Sequence, residues 1–328
     1  MMRCRPIGGI AAKGGLFRVA SDIQPIMRRV KIHRRSRMET PLRRNLTAYT
    51  FLLPWFTGML CLTVGAMLFT FYLAFTDYDL ISSPEWVGFD NFQQILRDPN
   101  FWISIRATFT YVIFSVPARL IVSLLIALLL YREVRGIGWY RSLIYLPSLI
   151  GTSVGAAIGW RNLFADDGPV NAFLGLFGVE GPNWVGNPST AIVILILLSV
   201  WQFGSEMVIF LAGLKQIPGY LYEAAIIDGA SAIQRFFKIT LPMLSPITFF
   251  NLLMGTISSF MIFTQVYIIT GGGPMKSTLM YVYYLYQHAF NYYNMGYAAA
   301  LSIILLIIIG LCSTVIFLSS RFWVHYDG

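Results

Sequence analysis

Residues 223–230 read Glu-Ala-Ala-Ile-Ile-Asp-Gly-Ala, a run of small and apolar residues around one Asp-Gly pair. The run lies in a connection, residues 214–246, between two strongly apolar segments. Pro218 and Gly219 favour the start of a new helix just before it. Asp228-Gly229 favours a tight break after it, because Gly accepts a positive φ. The sequence therefore predicts a short helix, a break and a second helix joining two membrane segments.

The composition places the chain in a membrane. Hydrophobic residues make up 56% of the 328 and charged residues 12%, with a mean hydropathy of +0.64, which is too apolar for a soluble domain. The net charge of +9 is concentrated, since twelve of the 24 Lys and Arg residues lie in residues 1–48. Such a flank is typical of attraction to anionic lipid; without a recognition motif it predicts no nucleic-acid partner. The three cysteines lack metal-ligand spacing, so no metal site is predicted.

Six segments are apolar enough to cross a membrane, which takes about 20 mostly apolar residues in a helix. They are roughly residues 49–75, 107–131, 142–164, 190–213, 247–270 and 297–320. Helices are predicted because lipid offers no partner for unpaired backbone groups. The sequence thus predicts an all-α integral membrane protein with a transmembrane domain of six helices, residues 49–320.

Lys and Arg are distributed unevenly over the two sides of this arrangement. Nineteen of the 24 lie on the side of the N-terminus, in residues 1–48, 132–141, 214–246 and 321–328. Basic residues favour the cytoplasmic side, so both termini and the connection 214–246 are predicted to be cytoplasmic. Residues 1–48 and 321–328 then form cytoplasmic tails. Residues 1–37 are predicted either as a disordered tail or as an over-extended start.

Small residues in the predicted joint would let another protein's backbone approach closely. Ala224, Ala225, Gly229 and Ala230 are of this kind, while Glu223 could cap the helix or pair with a basic residue. An ordinary linker without a partner is the plain alternative.

Residues 271–277 superficially resemble a phosphate-binding loop, but they lack the Gly that directly precedes the Lys in such loops. We therefore predict no ATP site and no catalytic residue in this chain.

The motif resembles the coupling loop of bacterial ABC importer permeases. Its full spacing is EAA-x2-DGA-x5-F-x2-I-x-LP-x3-P, ending at Pro246. The flanks agree with the maltose-permease type of the carbohydrate branch: residues 211–214 read Leu-Ala-Gly-Leu, residues 217–218 read Ile-Pro, and residues 270–274 read Thr-Gly-Gly-Gly-Pro. The resemblance covers roughly residues 45–320.

This resemblance implies a type I ABC importer permease fold in the bacterial cytoplasmic (inner) membrane. It implies a non-catalytic subunit that works with a second, homologous permease, two ATPase subunits carrying ATP and Mg, and a periplasmic or extracellular solute-binding protein. The short helix would dock in a cleft of an ATPase subunit. The residues that would carry this coupling are Glu223, Ala224, Ala225, Asp228, Gly229, Ala230, Leu241 and Pro242.

The cargo implied by the resemblance is an oligosaccharide. Residues 145–148 (Tyr-Leu-Pro-Ser) and 160–164 (Trp-Arg-Asn-Leu-Phe) are similar to permeases for acidic oligosaccharides, which makes an alginate-type importer the best prediction. Neutral-sugar and glycerol-phosphate importers are the alternatives. Arg119 and Arg161 are compatible with an anionic cargo without proving it.

Polar stripes in the fourth and fifth spans are candidates for the saccharide path, because polar groups in lipid are costly and often functional. Saccharides are held by hydrogen bonds and by stacking on aromatic rings. The candidate path residues are Trp201, Gln202, Glu206, Asn251, Ser258 and Gln265. Hydrogen bonding between helices is the alternative for both stripes.

Arg119 and Glu206 are charged residues within predicted spans. Arg119 could pair with Glu206, reach the membrane surface or meet an anionic substrate. Glu206 as a proton relay would make the chain an ion-coupled secondary transporter, although no second acid or His lies in the spans. A membrane enzyme would need a polar catalytic cluster, which the sequence does not show.

The third predicted span carries glycines at every fourth position. This spacing predicts a ridge for close helix packing, formed by Gly151, Gly155 and Gly159.

Overall fold

The computed structural model describes residues 41–131 and 136–325, with side chains from residue 49 onward. The predicted tail 1–37 lies outside the described residues, as do the last three residues of the predicted C-terminal tail. The chain divides into two units, residues 1–65 and 66–328. The described part of the first unit is the helix Pro41–Gly58, followed by the π-helical stretch Met59–Val64.

Short elements follow from Gly65 onward. The helix Gly65–Leu73 leads into a two-stranded antiparallel sheet, Thr76–Asp77 with Glu85–Trp86. In its register, Thr76 lies opposite Trp86 and Asp77 lies opposite Glu85. The helix Asp90–Arg97 follows.

Helices dominate the rest of the chain. In chain order the α-helices are Pro99–Tyr131, Ile137–Ile150, Val154–Leu163, Pro169–Gly175, Pro188–Trp201, Gly204–Leu214, Gly219–Ile227, Ala232–Arg235, Leu241–Met243, Ser245–Phe260, Tyr281–Tyr286 and Met295–Trp323. Three π-helical stretches extend them: Phe236–Thr240, Val266–Thr270 and Gln287–Asn291.

Three helices are long and apolar enough to cross a membrane unaided: Tyr49–Leu73, Pro99–Tyr131 and Met295–Trp323. Three bent helix pairs raise the number of candidate spans to six when each pair counts as one. The pairs are Ile137–Ile150 with Val154–Leu163 (95°), Pro188–Trp201 with Gly204–Leu214 (41°), and Ala232–Met243 with Ser245–Phe260 (63°). The predicted all-α membrane fold is confirmed.

The third, fourth and fifth spans are not the continuous helices that the hydropathy predicted. Their helices stop at Ile150, Trp201 and Phe260, and each resumes within a few residues. In the third span Ser153 caps the second half by accepting a hydrogen bond from the Ala156 N–H at 3.1 Å. Apolar composition measures affinity for lipid and not backbone continuity, which is why the breaks escaped prediction. The predicted glycine ridge is also wrong, because the 95° bend separates its first glycine from the other two.

The second span, Pro99–Tyr131, forms the centre of the packed helices. Small buried hydroxyls on it, Ser104, Thr108, Ser115 and Ser123, let other helices approach. Ser123 Oγ donates to the carbonyl of Phe203 in the fourth-span break, at 2.9 Å. Between apolar helices in lipid, such close packing and hydrogen bonds supply the association that the hydrophobic effect supplies in water.

Candidate functional site

The connection 214–246, here called the EAA loop, folds as the sequence predicted. Pro218 precedes the helix Gly219–Ile227, and Asp228 ends it. Gly229 has a φ of +75°, and the Ala230 N–H donates to the Ala225 carbonyl at 2.9 Å. This closing bond, with glycine in the left-handed region, is a common helix terminator.

The second half of the EAA loop is fixed by side-chain hydrogen bonds. Ser231 and Gln234 form a reciprocal capping box at the start of the helix Ala232–Arg235. The hydroxyls of Tyr222 and Thr240 lie 2.9 Å apart and tie the first helix to the π-helical stretch. The loop is therefore a preformed helical pair. A cavity of about 410 Å³ beside the break is lined by Ala225, Asp228, Gly229, Ala230, Gln234, Arg235, Lys238 and Ile239.

The EAA loop exposes apolar side chains on both of its helices. Ile227 is 85% exposed and Ile233 71% exposed; Tyr220, Ile226 and Phe237 are also exposed. Clustered apolar exposure of this kind is typical of interaction surfaces. Of the other predicted coupling residues, Glu223 is exposed, whereas Leu241 and Pro242 are half-buried where the chain turns towards Ser245–Phe260.

The breaks in the third and fourth spans are joined directly. Gln202 Nε2 donates to the Gly151 carbonyl at 2.8 Å. Ser148 Oγ accepts from the Gly204 N–H at 2.6 Å and donates to the Gln202 carbonyl at 3.0 Å. Backbone groups freed by each break are thus satisfied by the other break, as a non-helical backbone in a membrane requires. Gly151 is required here, because a Cβ would lie 2.7 Å from the Pro147 carbonyl oxygen and 2.8 Å from Gln202 Cδ.

A cavity of about 310 Å³ lies where the breaks meet. Its walls come from the second, third, fourth and fifth spans. The lining residues are Tyr111, Arg119, Thr152, Leu195, Leu198, Ser199, Gln202, Ser258, Ser259, Met261, Ile262, Phe263, Thr264 and Gln265. Irregular backbone at membrane depth is tolerated where it lines a cavity, and substrate sites of transporters are often built at such broken helices.

The predicted path residues divide into two groups. Gln202, Ser258 and Gln265 line the cavity. Three others do not line it. Trp201 packs its ring against Trp160, with centroids 5.5 Å apart; Asn251 is buried and donates to the Glu206 carbonyl at 3.4 Å; Glu206 stands behind Arg119. The sequence argument missed Tyr111, Thr152 and Thr264, because no polar stripe marks them.

Arg119 and Glu206 form an ion pair, which was the first of the alternatives for Arg119. Its Nη2 lies 3.0 Å from Glu206 Oε1, and both side chains are largely buried. The same Nη2 lies 3.5 Å from Ser258 Oγ, so the pair ties the second, fourth and fifth spans together. Gly255 leaves room for it, since a Cβ there would lie 3.1 Å from Nη2.

A second polar cluster joins Asp98, directly before the second span, to the sixth span and to the segment that precedes it. Tyr284 OH donates a short hydrogen bond to Asp98 Oδ2, and Tyr297 OH lies 3.4 Å from the same oxygen. The imidazole of His288 stacks on Tyr297 with ring centroids 4.3 Å apart. Burial lowers the pKa of His288 below its ordinary value, although the nearby Asp98 charge opposes this shift. Lys276 Nζ donates to Asn100 Oδ1 at 2.7 Å on the wall of an adjoining cavity of about 330 Å³.

Comparison with known proteins gives consistent results. Residues 99–322 match the family of binding-protein-dependent transport system inner membrane components. The chain is 52% identical over 288 residues to the probable ABC transporter permease protein YesP of Bacillus subtilis, covering 87% of this chain and 93% of that protein. It is 33% identical to the trehalose/maltose transport system permease protein MalF of Thermococcus litoralis, covering 84% and 94%.

A solved structure shares the fold. It is a chain of a bacterial ABC transporter involved in the import of the acidic polysaccharide alginate. The TM-score is 0.75 at 22% sequence identity, covering 85% of this chain and 96% of that one.

Proposed function

The chain belongs to the family of binding-protein-dependent transport system inner membrane components, and we propose that it is the permease subunit of an ATP-driven importer of oligosaccharides. The preformed EAA loop, with its exposed apolar side chains, is the observation that carries this proposal. The names of relatives support the cargo class, since they include permeases of trehalose/maltose and arabinooligosaccharide transport systems.

In this proposal the EAA loop faces the cytoplasm and docks on an ATPase subunit. The Lys and Arg distribution supports that orientation, which places both termini in the cytoplasm. The chain itself is non-catalytic, and ATP with Mg binds to two ATPase subunits. A second, homologous permease completes the path, and a solute-binding protein delivers the saccharide on the opposite side. The membrane is the bacterial cytoplasmic membrane.

The connection between loop and cavity is short. The helix Gly204–Leu214 leads from the fourth-span break to the EAA loop, and Ser245–Phe260 leads from the loop back to the fifth-span break. At about 1.5 Å per residue these helices span roughly 16 and 24 Å. Because a helix transmits displacement along its axis, movement of the docked loop would shift two walls of the cavity. Closure of the ATPases on ATP would thereby open the cavity to one side, and hydrolysis would reset it.

The cavity offers hydroxyl, amide and aromatic groups suited to a saccharide. Gln202, Ser258 and Gln265 supply hydrogen bonds and Phe263 a ring face. Ser259 is buried, and its hydroxyl has no hydrogen-bond partner in the described part of the chain. An acidic oligosaccharide of the alginate type is the proposed cargo. The position of Arg119 on the cavity wall supports this proposal. Neutral sugars or glycerol phosphate are the alternative, supported by the names of relatives.

An ion-coupled secondary transporter is less well supported. A proton relay would need Glu206 to exchange protons with the transport path. Glu206 is instead paired with Arg119 and does not line the cavity.

Co-purification from mild detergent tests the proposed function. The wild-type chain should bring down an ATPase and a second permease with six spans, and Gly229→Asp should lose the ATPase. Aspartate at 229 must adopt a φ of +75° and adds a charge to the docking surface. Gly178→Asp is the matched control: Gly178 also has a positive φ, of +72°, a Cβ there also meets no atom within 4 Å, and it lies outside the EAA loop. Recovery of the chain alone from wild type and variants, with transport surviving Gly229→Asp, would contradict the proposal.

A further inference from the structure

The ion pair at the cavity is incompletely satisfied. Arg119 and Glu206 are joined by one nitrogen–oxygen contact of 3.0 Å, not by a bidentate pair. Arg119 Nε and Glu206 Oε2 are buried and have no hydrogen-bond partner among the residues that the structure describes. Of the two residues, only Arg119 reaches the cavity wall, and no other charged residue in the described ranges lines it.

We propose that Arg119 is the specificity-determining residue of the cavity and binds a carboxylate group of the cargo, while Glu206 holds the guanidinium in place. This inference rests on the proposed function and names a residue for the acidic cargo suggested there. A guanidinium has five N–H donors in a planar fork. One contact to Glu206 leaves donors for a second carboxylate.

A purely structural role explains the pair less well. A buried ion pair contributes little net stability over apolar residues of similar size, because removing two charges from solvent costs about what their attraction returns. A pair kept only to join helices would be expected to satisfy its remaining donors and acceptors. Here one donor of Arg119 and one acceptor of Glu206 stay unsatisfied. Arg119 also lines the cavity, as does Ser259, whose hydroxyl has no partner in the described part of the chain. The arrangement is that of a cation held ready for a further ligand.

The surroundings of Arg119 favour a sugar acid over a bare anion. Ser258 contacts the guanidinium at 3.5 Å, and Gln202 and Gln265 also line the cavity. These groups can bind ring hydroxyls while the guanidinium binds the carboxylate. A glycerol phosphate would use the same guanidinium chemistry but offers these groups fewer hydroxyls than a uronate oligosaccharide does. We therefore assign a uronate residue to the cavity.

Direct binding to the permease–ATPase complex in lipid nanodiscs, without the solute-binding protein, tests this assignment. The probes are trisaccharides from alginate and from polygalacturonate, the same trisaccharides with their carboxyl groups reduced to alcohols, maltotriose, and glycerol phosphate. The variant is the double substitution Arg119→Met/Glu206→Gln, which removes both charges and leaves no buried unpaired ion. Arg161→Gln is the control, because Arg161 donates to the Ile268 carbonyl and does not line the cavity.

For the wild type, an acidic trisaccharide should bind at least tenfold more tightly than its reduced form. The double variant should lose this ratio while its affinity for the reduced form stays within about threefold; Arg161→Gln should keep the ratio. An unchanged ratio in the double variant, or an equal loss of both affinities, would overturn the role of Arg119. Preferred binding of glycerol phosphate would overturn the uronate assignment. Binding of maltotriose alone would overturn the role of Arg119 but leave the proposed oligosaccharide importer standing. Binding of no probe, together with the absence of an ATPase from the purified complex, would overturn both the role of Arg119 and the proposed function.

Discussion

The EAA loop and the cavity are built in opposite ways. The loop comes from one contiguous stretch, and its turns are closed by residues at most a few positions apart, such as Ala230 with Ala225 and Ser231 with Gln234. The cavity comes from four spans, and its contacts join residues far apart in sequence: Arg119 to Ser258, and Gln202 to Gly151. One region is specified locally, and the other only by tertiary packing.

Because of this difference, substitutions in the loop and substitutions in the cavity should have different consequences. In the proposed function the exposed face of the loop binds the ATPase, and because its side chains are exposed it contributes little to the stability of this chain. Most of the cavity residues are buried or half-buried between helices, so substituting them should affect the stability of the helix bundle as well as the proposed ligand binding. Loop variants should therefore fail in assembly while remaining folded, and cavity variants should lose stability while the loop still binds its partner.

The largest effect is expected for Arg119→Met. The substitution leaves Glu206 buried without its counter-ion, which costs about 3–5 kcal/mol of unfolding free energy. Thermal unfolding in detergent should show a marked fall in the midpoint. The double variant Arg119→Met/Glu206→Gln should recover most of the loss, because no unpaired charge remains. Equal midpoints for the single and double variants would mean that the ion pair is not what stabilises this region.

Ile227→Asp should have the next largest effect, on assembly alone. Ile227 is 85% exposed on the first helix of the EAA loop, and a charge there would be buried when the ATPase docks. Loss of a central interface residue costs about 2 kcal/mol or more, so affinity for the ATPase should fall at least about thirtyfold with an unchanged unfolding midpoint. Ile81→Asp is the control, since Ile81 is 92% exposed outside the loop. Normal ATPase binding by Ile227→Asp would place the docking surface elsewhere.

The same contrast explains which parts of the fold and of the cavity could be predicted from the sequence. Asp228-Gly229 indicated its turn because a glycine with positive φ is a local requirement. The six apolar segments indicated the spans because the requirement for about 20 mostly apolar residues applies to each segment separately. The cavity was only partly predicted: Gln202, Ser258 and Gln265 were found as polar residues in apolar spans, but Thr152 and Tyr111 were not. Thr152 lies at a backbone break that Gln202 closes by bonding the Gly151 carbonyl from 51 positions away. Tyr111 lies in a continuous helix and lines the cavity because other spans pack around that helix. No local pattern contains either piece of information.

Gly151→Ala tests whether the breaks depend on close approach between spans. The added methyl group would overlap Gln202 and lie 2.7 Å from the Pro147 carbonyl oxygen, and such overpacking costs about 1–3 kcal/mol. A lower unfolding midpoint and weaker saccharide binding are expected together. Gly159→Ala is the matched control in the same span, because a Cβ there meets no atom within 4 Å. A helix gains about 0.5–1 kcal/mol from this replacement, so the two variants should shift the midpoint in opposite directions.

The smallest effect is expected from pH, at the cluster of Asp98, Tyr284, Tyr297 and His288. Burial lowers the pKa of His288, whereas the unfolded chain binds the proton near pH 6.5. Stability from the neutral imidazole is therefore fully present above about pH 6.5 and is lost as the pH falls towards the folded-state pKa. The unfolding midpoint should be lower at pH 5 than at pH 7.5, and His288→Gln should reduce this difference. A pH dependence identical in wild type and variant would exclude His288 as its source. The cluster joins residues nearly 200 positions apart, as Asp98 and Tyr297 are, so a shift of the unfolding midpoint with pH would report on tertiary packing. ATPase binding by the EAA loop should not change over the same pH range.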